Sequence, residues 1–108
     1  IYARETLLLA DYPPNIETLV QAVRIGDLGI ATFPCETFVE TGLAVKRDSP
    51  LRPTFVISLA NDYAGYLPTA EHHRLGGYET WRARSSFLAV DAEETLRSTV
   101  MRLLAELG

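Results

Sequence analysis

The spacing of apolar residues divides the chain into short segments with different predicted structures. Residues 2–10 group leucines beside charged side chains, which is compatible with a helix, and the DYPPN sequence ends it because proline lacks a backbone donor. Residues 19–25 and 28–34 are rich in β-branched and aliphatic side chains, which predicts two strands. Gly26 and Asp27 lie between them and favour a tight hairpin.

The rest of the chain contains an apolar strand and a C-terminal helix. Residues 35–46 follow a proline and can place their apolar side chains on one broad face, which favours a helix over a strand. Residues 54–60 are apolar almost throughout, a pattern typical of a strand covered on both faces. Residues 61–86 have no sustained periodicity and are predicted to form a long loop. Residues 91–108 carry a leucine-rich stripe behind Asp91, a good N-cap residue, which predicts a helix.

This order of elements predicts an α/β or α+β fold. We expect a small layered sandwich with about three strands and three helices. A strand that is covered on both faces needs a layer of structure on each side. A chain with this small number of elements does not supply both layers. The sequence therefore favours a piece of a larger α/β domain. Its start inside a predicted helix, without a methionine, leads to the same expectation.

Length, charge and cysteine content narrow the possible classes of function. At 108 residues the chain has room for one domain with a modest core. The formal net charge of −4 and the lack of a basic cluster argue against a nucleic-acid partner. No apolar run is long enough to span a bilayer, so we expect no transmembrane segment. The single cysteine, Cys35, excludes an internal disulfide framework.

Polar groups follow apolar elements at two places, and the first is the sequence TFPCETF. Glu36 would lie in the first turn of the predicted helix, where the helix dipole favours a carboxylate. It is either an ordinary first-turn residue or a carboxylate aimed into a site at the end of a strand, where α/β folds commonly bind ligands. Cys35 has no evident His or Asn partner for nucleophilic chemistry and is predicted to be a small buried residue.

The second place is the stretch LANDYAGYLPTAEHHRLGGYE, residues 59–79. Tyr63, Tyr66 and Tyr78 either cap the edge of a core, with their hydroxyls in water, or line a site. The side chains of the adjacent pair His72–His73 diverge, so we expect solvated loop histidines and not a zinc-binding pair. The Gly-Gly sequence before Tyr78 indicates a turn with positive φ or a close approach of the backbone.

Taken together, the sequences GDLGIATFPCETF and FVISLANDYAGYLPTAEHHRLGGYE resemble the neutral/alkaline (non-lysosomal) ceramidase family, in the C-terminal part of its catalytic domain. The resemblance covers residues 20–79, and the final helix is compatible with it. The shared features are an I-G-D hairpin, a strand that ends in P-x-E, and an apolar strand followed by L-x-N-x-Y-x-x-Y and a later Y-E. Cys35 stands where the family commonly has glycine.

This resemblance implies one wall of a zinc-dependent amidase site. In the family, two histidines, a glutamate and a tyrosine hold the zinc ion. Glu36 matches the glutamate of P-x-E, and Tyr66 matches the tyrosine. Tyr78, in the later Y-E, matches a tyrosine that lies near the scissile amide and is the implied catalytic residue. The histidine ligands lie earlier in the family's chain, and neither His72 nor His73 matches them.

The leading hypothesis is that residues 1–108 form a single segment, the C-terminal part of a ceramidase-like catalytic domain that is inactive alone. Its partners would be the upstream remainder of that domain and an amide or lipid-amide substrate similar to ceramide. Two alternatives stay open: a small binding or interaction domain that shares the fold, and a different metallohydrolase. The resemblance favours a secreted, periplasmic or membrane-associated location. Nothing in the sequence encodes a pocket for a long-chain lipid.

Overall fold

Four α-helices and five short strands make up the fold, which a computed structural model describes over residues 1–108. The helices are α1 (Tyr2–Leu9), α2 (Val39–Asp48), α3 (Ala70–Leu75) and α4 (Ala92–Leu107), with a 3-10 turn at Tyr78–Thr80. The strands are β1 (Gln21–Ile25), β2 (Leu28–Thr32), β3 (Glu36–Thr37), β4 (Thr54–Ile57) and β5 (Tyr66–Leu67). The predicted α/β class is confirmed.

The larger sheet has the strand order β1-β2-β4. β1 and β2 form the predicted antiparallel hairpin, and Gly26 in its turn has a φ of 60°, which glycine adopts readily. β2 and β4 run parallel, so the chain must cross back between them, and α2 lies in that crossover. The predicted strand at residues 54–60 is confirmed, although it ends at Ile57.

One face of this sheet packs against α2 and α4. Ala22, Ala31 and Val56 form a row across the three strands, and this row faces the core. Ala31 is fully buried together with Val45 of α2 and Val100 of α4. The apolar stripe predicted for the final helix therefore supplies the layer that covers the sheet.

The opposite face of the sheet is apolar and open to solvent. A second row of side chains alternates with the core-facing row and points away from the core. It consists of Val23, Ile30 and Phe55. Val23 is 42% exposed, Phe55 is 40% exposed, and Ile57 on the same face is 41% exposed. The prediction that residues 54–60 are covered on both faces is therefore wrong for this chain. The helices that contact the sheet, α2 and α4, also contact each other and so lie on one side.

The overall shape is flat. The radius of gyration is 14.7 Å and the principal extents are 48 × 26 × 17 Å, whereas a compact domain of this length has a radius of gyration of about 13 Å. A single layer of helices on one face of the three-stranded sheet is consistent with this shape. The flat form and the open apolar face match a part of a larger α/β domain.

Residues 61–86 were expected to form a long loop, and this prediction is wrong. They contain β5, α3 and the 3-10 turn, each of six residues or fewer. Thr69 caps α3, because its hydroxyl accepts a hydrogen bond from the backbone N–H of His72 at 3.2 Å. None of the helices in the chain combines the length and hydrophobicity that a bilayer crossing requires.

The start of α4 is held by a buried glutamate. Asp91 occupies the N-cap position as predicted, but its side chain makes no capping hydrogen bond. Glu93 is only 4% exposed and accepts hydrogen bonds from Thr41 Oγ1 at 2.7 Å and from Arg97 Nε at 2.9 Å. The bond to Thr41 joins α4 to α2 and fixes the two helices that cover the sheet.

Candidate functional site

Glu36 and Tyr66 face each other in a second, two-stranded sheet. β3 and β5 run parallel, and Glu36 is the register partner of Tyr66. Register partners project their side chains from the same side of a sheet, so the carboxylate of Glu36 and the phenol of Tyr66 lie on one side of it. The prediction that Glu36 lies in the first turn of a helix is wrong. Glu36 and Thr37 pair with β5 instead, and α2 begins only at Val39.

The backbone between β4 and β5 fixes this pairing. Three of its N–H groups donate hydrogen bonds to carbonyl groups of residues 33–35: Leu59 to Cys35 (3.0 Å), Ala60 to Phe33 (3.0 Å) and Ala64 to Pro34 (2.7 Å). The N–H of Glu36 donates in return to the carbonyl of Gly65 at 2.9 Å. These hydrogen bonds therefore hold the segment that precedes β3 next to the segment that precedes β5.

This connection contains two non-glycine residues with a left-handed backbone. Leu59 has a φ of 56° and Asn61 has a φ of 71°. Each such residue costs on the order of 1–3 kcal/mol and persists only where its surroundings hold it. Asn61 is held by its side chain, since its Nδ2 donates to Gln21 Oε1 at 2.8 Å. Backbone strain of this kind clusters at functional sites.

Gly65 offers a test of how rigid the connection must be. Its φ is 81°, and an added Cβ would lie 2.7 Å from the carbonyl oxygen of Ser85. We expect Gly65→Ala to lower the free energy of unfolding by about 2 kcal/mol or more, because a left-handed backbone and a clash act together.

The matched control for this change is Gly26→Ala in the hairpin turn. Gly26 has a φ of 60° but nothing within 4 Å of an added Cβ, so only the backbone penalty of about 1 kcal/mol applies. Urea denaturation of both variants measures the difference. Equal losses would show that the contact with Ser85 does not constrain the connection.

Tyr78 lies against Tyr66. The two ring centroids are 5.9 Å apart, and the ring planes meet at 83°, an edge-to-face arrangement. Gly76 and Gly77 have φ values of 86° and 124°, which confirms the predicted positive-φ turn before Tyr78. Burial of the phenol and the neighbouring Tyr78 hydroxyl raise the pKa of Tyr66 to about 12. The phenol of Tyr66 is therefore protonated at neutral pH in the free chain.

The structure adds Tyr63 to this group, although the resemblance to ceramidases assigned it no role. Its hydroxyl donates a hydrogen bond to Glu36 Oε2 over 3.4 Å. The pKa of Tyr63 is raised, first by burial of its phenol and then by the charge of Glu36. Since 27 residues separate the two side chains in sequence, only the fold brings them together. We define the site cluster as Glu36, Tyr63, Tyr66 and Tyr78.

The two histidines differ in their surroundings. His72 Nδ1 lies 2.7 Å from Thr69 Oγ1, and its ring centroid is 4.3 Å from that of Phe38. His73 Nε2 is buried without a hydrogen-bond partner, and burial followed by the charge of Arg82 lowers the pKa of His73. The prediction of solvated loop histidines is wrong, because both residues lie in α3 and are half-buried. Neither forms a hydrogen bond with the site cluster.

Cys35 precedes the site cluster but does not join it. Its side chain is 0% exposed, as predicted for a small buried residue. Burial, followed by the charge of Asp62, raises the pKa of this thiol to about 12. A thiol in this environment stays protonated and is not a nucleophile at neutral pH.

Three members of the site cluster lie on an open surface, and the fourth, Tyr63, lines a cavity. None of the four cavities in the chain is lined by Glu36, Tyr66 or Tyr78. The chain has no group of three or more His, Cys, Asp or Glu side chains placed to hold a metal ion. Glu36 and Tyr66 offer two oxygen donors on one side of a sheet, and a zinc site takes about four ligands. A carboxylate is a usual zinc ligand and a phenol is not, so these two residues supply at most half of such a site.

Comparison with known proteins supports the fold. No protein-family model matches this chain, and no curated protein sequence matches it. The crystal structure of neutral ceramidase from Pseudomonas aeruginosa matches it with a TM-score of 0.66 and 22% sequence identity. The match covers 82% of this chain and 15% of that chain, so this chain spans only a small part of the length of the ceramidase. The chain thus shares its fold with one part of a neutral ceramidase.

Proposed function

We propose that this chain is the C-terminal part of the catalytic domain of a zinc-dependent amidase that resembles neutral ceramidase, and that it is inactive alone. The register pairing of Glu36 with Tyr66 carries this proposal. It brings together two residues that are 30 positions apart and that match two zinc ligands of the family. The packing of Tyr78 on Tyr66 and the fold shared with part of a neutral ceramidase support it.

In this proposal, Glu36 and Tyr66 hold a zinc ion through their side-chain oxygens. The remaining ligands belong to the upstream part of the domain, because about four are needed. When bound, zinc lowers the pKa of water towards neutrality and polarises a carbonyl group, which is the chemistry that amide hydrolysis requires.

Tyr78 supplies a hydrogen-bond donor to the reacting amide. Its side chain is 56% exposed and is therefore accessible to a substrate. As the amide carbonyl is attacked, negative charge develops on its oxygen, and a phenol placed nearby stabilises that charge by donating a hydrogen bond. The edge-to-face contact with Tyr66 orients the ring for this role.

The substrate in this proposal is an N-acyl amide of the ceramide type. Glu36, Tyr66 and Tyr78 line no cavity, so the opposite wall of the site and the pocket for an acyl chain come from the remainder of the domain. The open apolar face of the sheet supports this assignment, because exposed apolar patches commonly mark surfaces that another part of a protein or a partner covers.

Metal analysis and hydrolysis assays on the full-length protein test the proposal. We expect stoichiometric zinc and release of fatty acid from an N-acyl sphingoid amide, with both lost on chelation and restored by added zinc. Bound zinc without hydrolysis of any N-acyl amide would favour a different metallohydrolase. Absence of both zinc and hydrolysis would favour a binding or interaction domain that shares the fold.

The isolated 108-residue chain should lack a tight zinc site. Only two of about four ligands are present, and two oxygen donors alone bind zinc weakly. Calorimetric titration of the folded chain should therefore show no stoichiometric binding at submicromolar zinc. One tight zinc ion per isolated chain would contradict this prediction and would make His72 or His73 a ligand.

A further inference from the structure

Tyr63 makes the only hydrogen bond to the side chain of Glu36 in this structure. Its hydroxyl donates to Glu36 Oε2 at 3.4 Å, while Oε1 has no bonded partner. This contact is longer than the usual 2.7–2.8 Å between two oxygens, so it is a weak hydrogen bond. One oxygen of Glu36 is therefore engaged from within the chain, and the other is free.

The backbone around Tyr63 is fixed on both sides. The N–H of Tyr63 donates to Asp62 Oδ1 at 2.7 Å, and the N–H of Ala64 donates to the carbonyl of Pro34 at 2.7 Å. Asn61 is anchored through its side chain in a left-handed conformation. The contacts of Asn61 and Ala64 therefore anchor the chain on both sides of Tyr63, which places its phenol beside Glu36.

We propose that Tyr63 is a positioning residue that presents one oxygen of Glu36 to the metal ion by holding the other. This inference rests on the proposed function, in which Glu36 is a ligand. Ligating carboxylates are commonly hydrogen-bonded by a second residue, and loss of that partner typically lowers metal affinity by about 10–100-fold. Because the bond in this chain is long, the lower end of that range applies to Tyr63.

The test is Tyr63→Phe in the full-length protein, which removes one hydroxyl and keeps the ring. Zinc affinity, measured by competition with a chelator, should fall by about tenfold. The thermal midpoint should stay unchanged, since the side chain is 51% exposed and the ring remains. Turnover should recover when free zinc is raised to saturation. Zinc affinity equal to that of the wild type would overturn the inference.

Tyr12→Phe is the matched control. Tyr12 lines the same cleft as Tyr63 and is 38% exposed, but its hydroxyl makes no hydrogen bond in the structure. Its removal should leave zinc affinity at the wild-type value. An equal loss in both variants would mean that the polarity of the cleft sets the affinity, and the inference would be overturned.

Glu36→Gln separates failure of this inference from failure of the proposed function. If Glu36→Gln loses zinc and Tyr63→Phe does not, only the role of Tyr63 is wrong. If Glu36→Gln keeps wild-type zinc affinity, Glu36 is not a ligand, and both proposals fail. If both proposals are correct, adding Tyr63→Phe to Glu36→Gln should cause no further loss of zinc affinity, because the two residues act through one contact.

Discussion

Glu36→Gln should remove zinc and hydrolysis from the full-length protein while leaving its fold intact. The amide has nearly the same size as the carboxylate and can still accept the hydrogen bond from Tyr63, so the half-buried strand position tolerates it. A neutral amide is a much poorer ligand for zinc than a carboxylate. Hydrolysis should fall by about a hundredfold or more, because metal catalysis contributes several kcal/mol.

The control for this change is Glu94→Gln, which neutralises an exposed carboxylate in the first turn of α4. It should alter neither zinc content nor turnover. Metal content by mass spectrometry, turnover, and the thermal midpoint should be measured on both variants. If Glu36→Gln retains wild-type zinc and turnover, Glu36 is an ordinary strand residue and the proposed site is wrong.

Tyr78→Phe should separate catalysis from metal binding. The change keeps the ring on Tyr66 and removes only the exposed hydroxyl. If that hydroxyl stabilises the developing oxyanion, turnover should fall by about a hundredfold or more, the usual effect of one lost donor. Zinc content should stay at the wild-type level, because Tyr78 is not among the proposed ligands.

Tyr63 is not a neutral control for Tyr78, because it contacts Glu36. From the sequence alone, Tyr63→Phe would be expected to have a mild stability effect at most. The structure makes Tyr12 the better control, since it lies outside the site cluster and its ring packs on Phe87 with a centroid distance of 5.2 Å. Equal losses of turnover at Tyr12 and Tyr78 would show that these tyrosines act through packing and not through a donated hydrogen bond.

The larger elements could be predicted from the sequence because they are long enough to show a period. The hairpin, β4 and α4 each follow from a run of apolar residues with a clear spacing and a turn or cap residue beside it. β3 and β5 could not be predicted, because two residues carry no period and their pairing depends on contacts with distant backbone. The placement of Glu36 in a helix failed for this reason.

The site cluster was only partly accessible from the sequence. The resemblance to ceramidases selected Glu36, Tyr66 and Tyr78, and the structure brings Glu36 into register with Tyr66 and Tyr78 against Tyr66. The contact of Tyr63 with Glu36 carries no signal in sequence spacing. The exposure of one face of β4 was also not predicted, because an apolar strand has the same sequence pattern whether or not both of its faces are covered within the chain.

The register of β3 and β5 limits how the length of this chain can vary in evolution. Glu36 faces Tyr66 residue for residue, and successive side chains in a strand point to opposite sides. Deleting one residue from the connection at 58–65 would place Leu67 opposite Glu36 and turn the phenol to the other side of the sheet. Such a deletion would therefore remove Leu67 from the core as well as Tyr66 from the proposed site. We therefore expect homologues that share the proposed site to keep the length of this connection, and to accept insertions and deletions at the Gly26 turn instead.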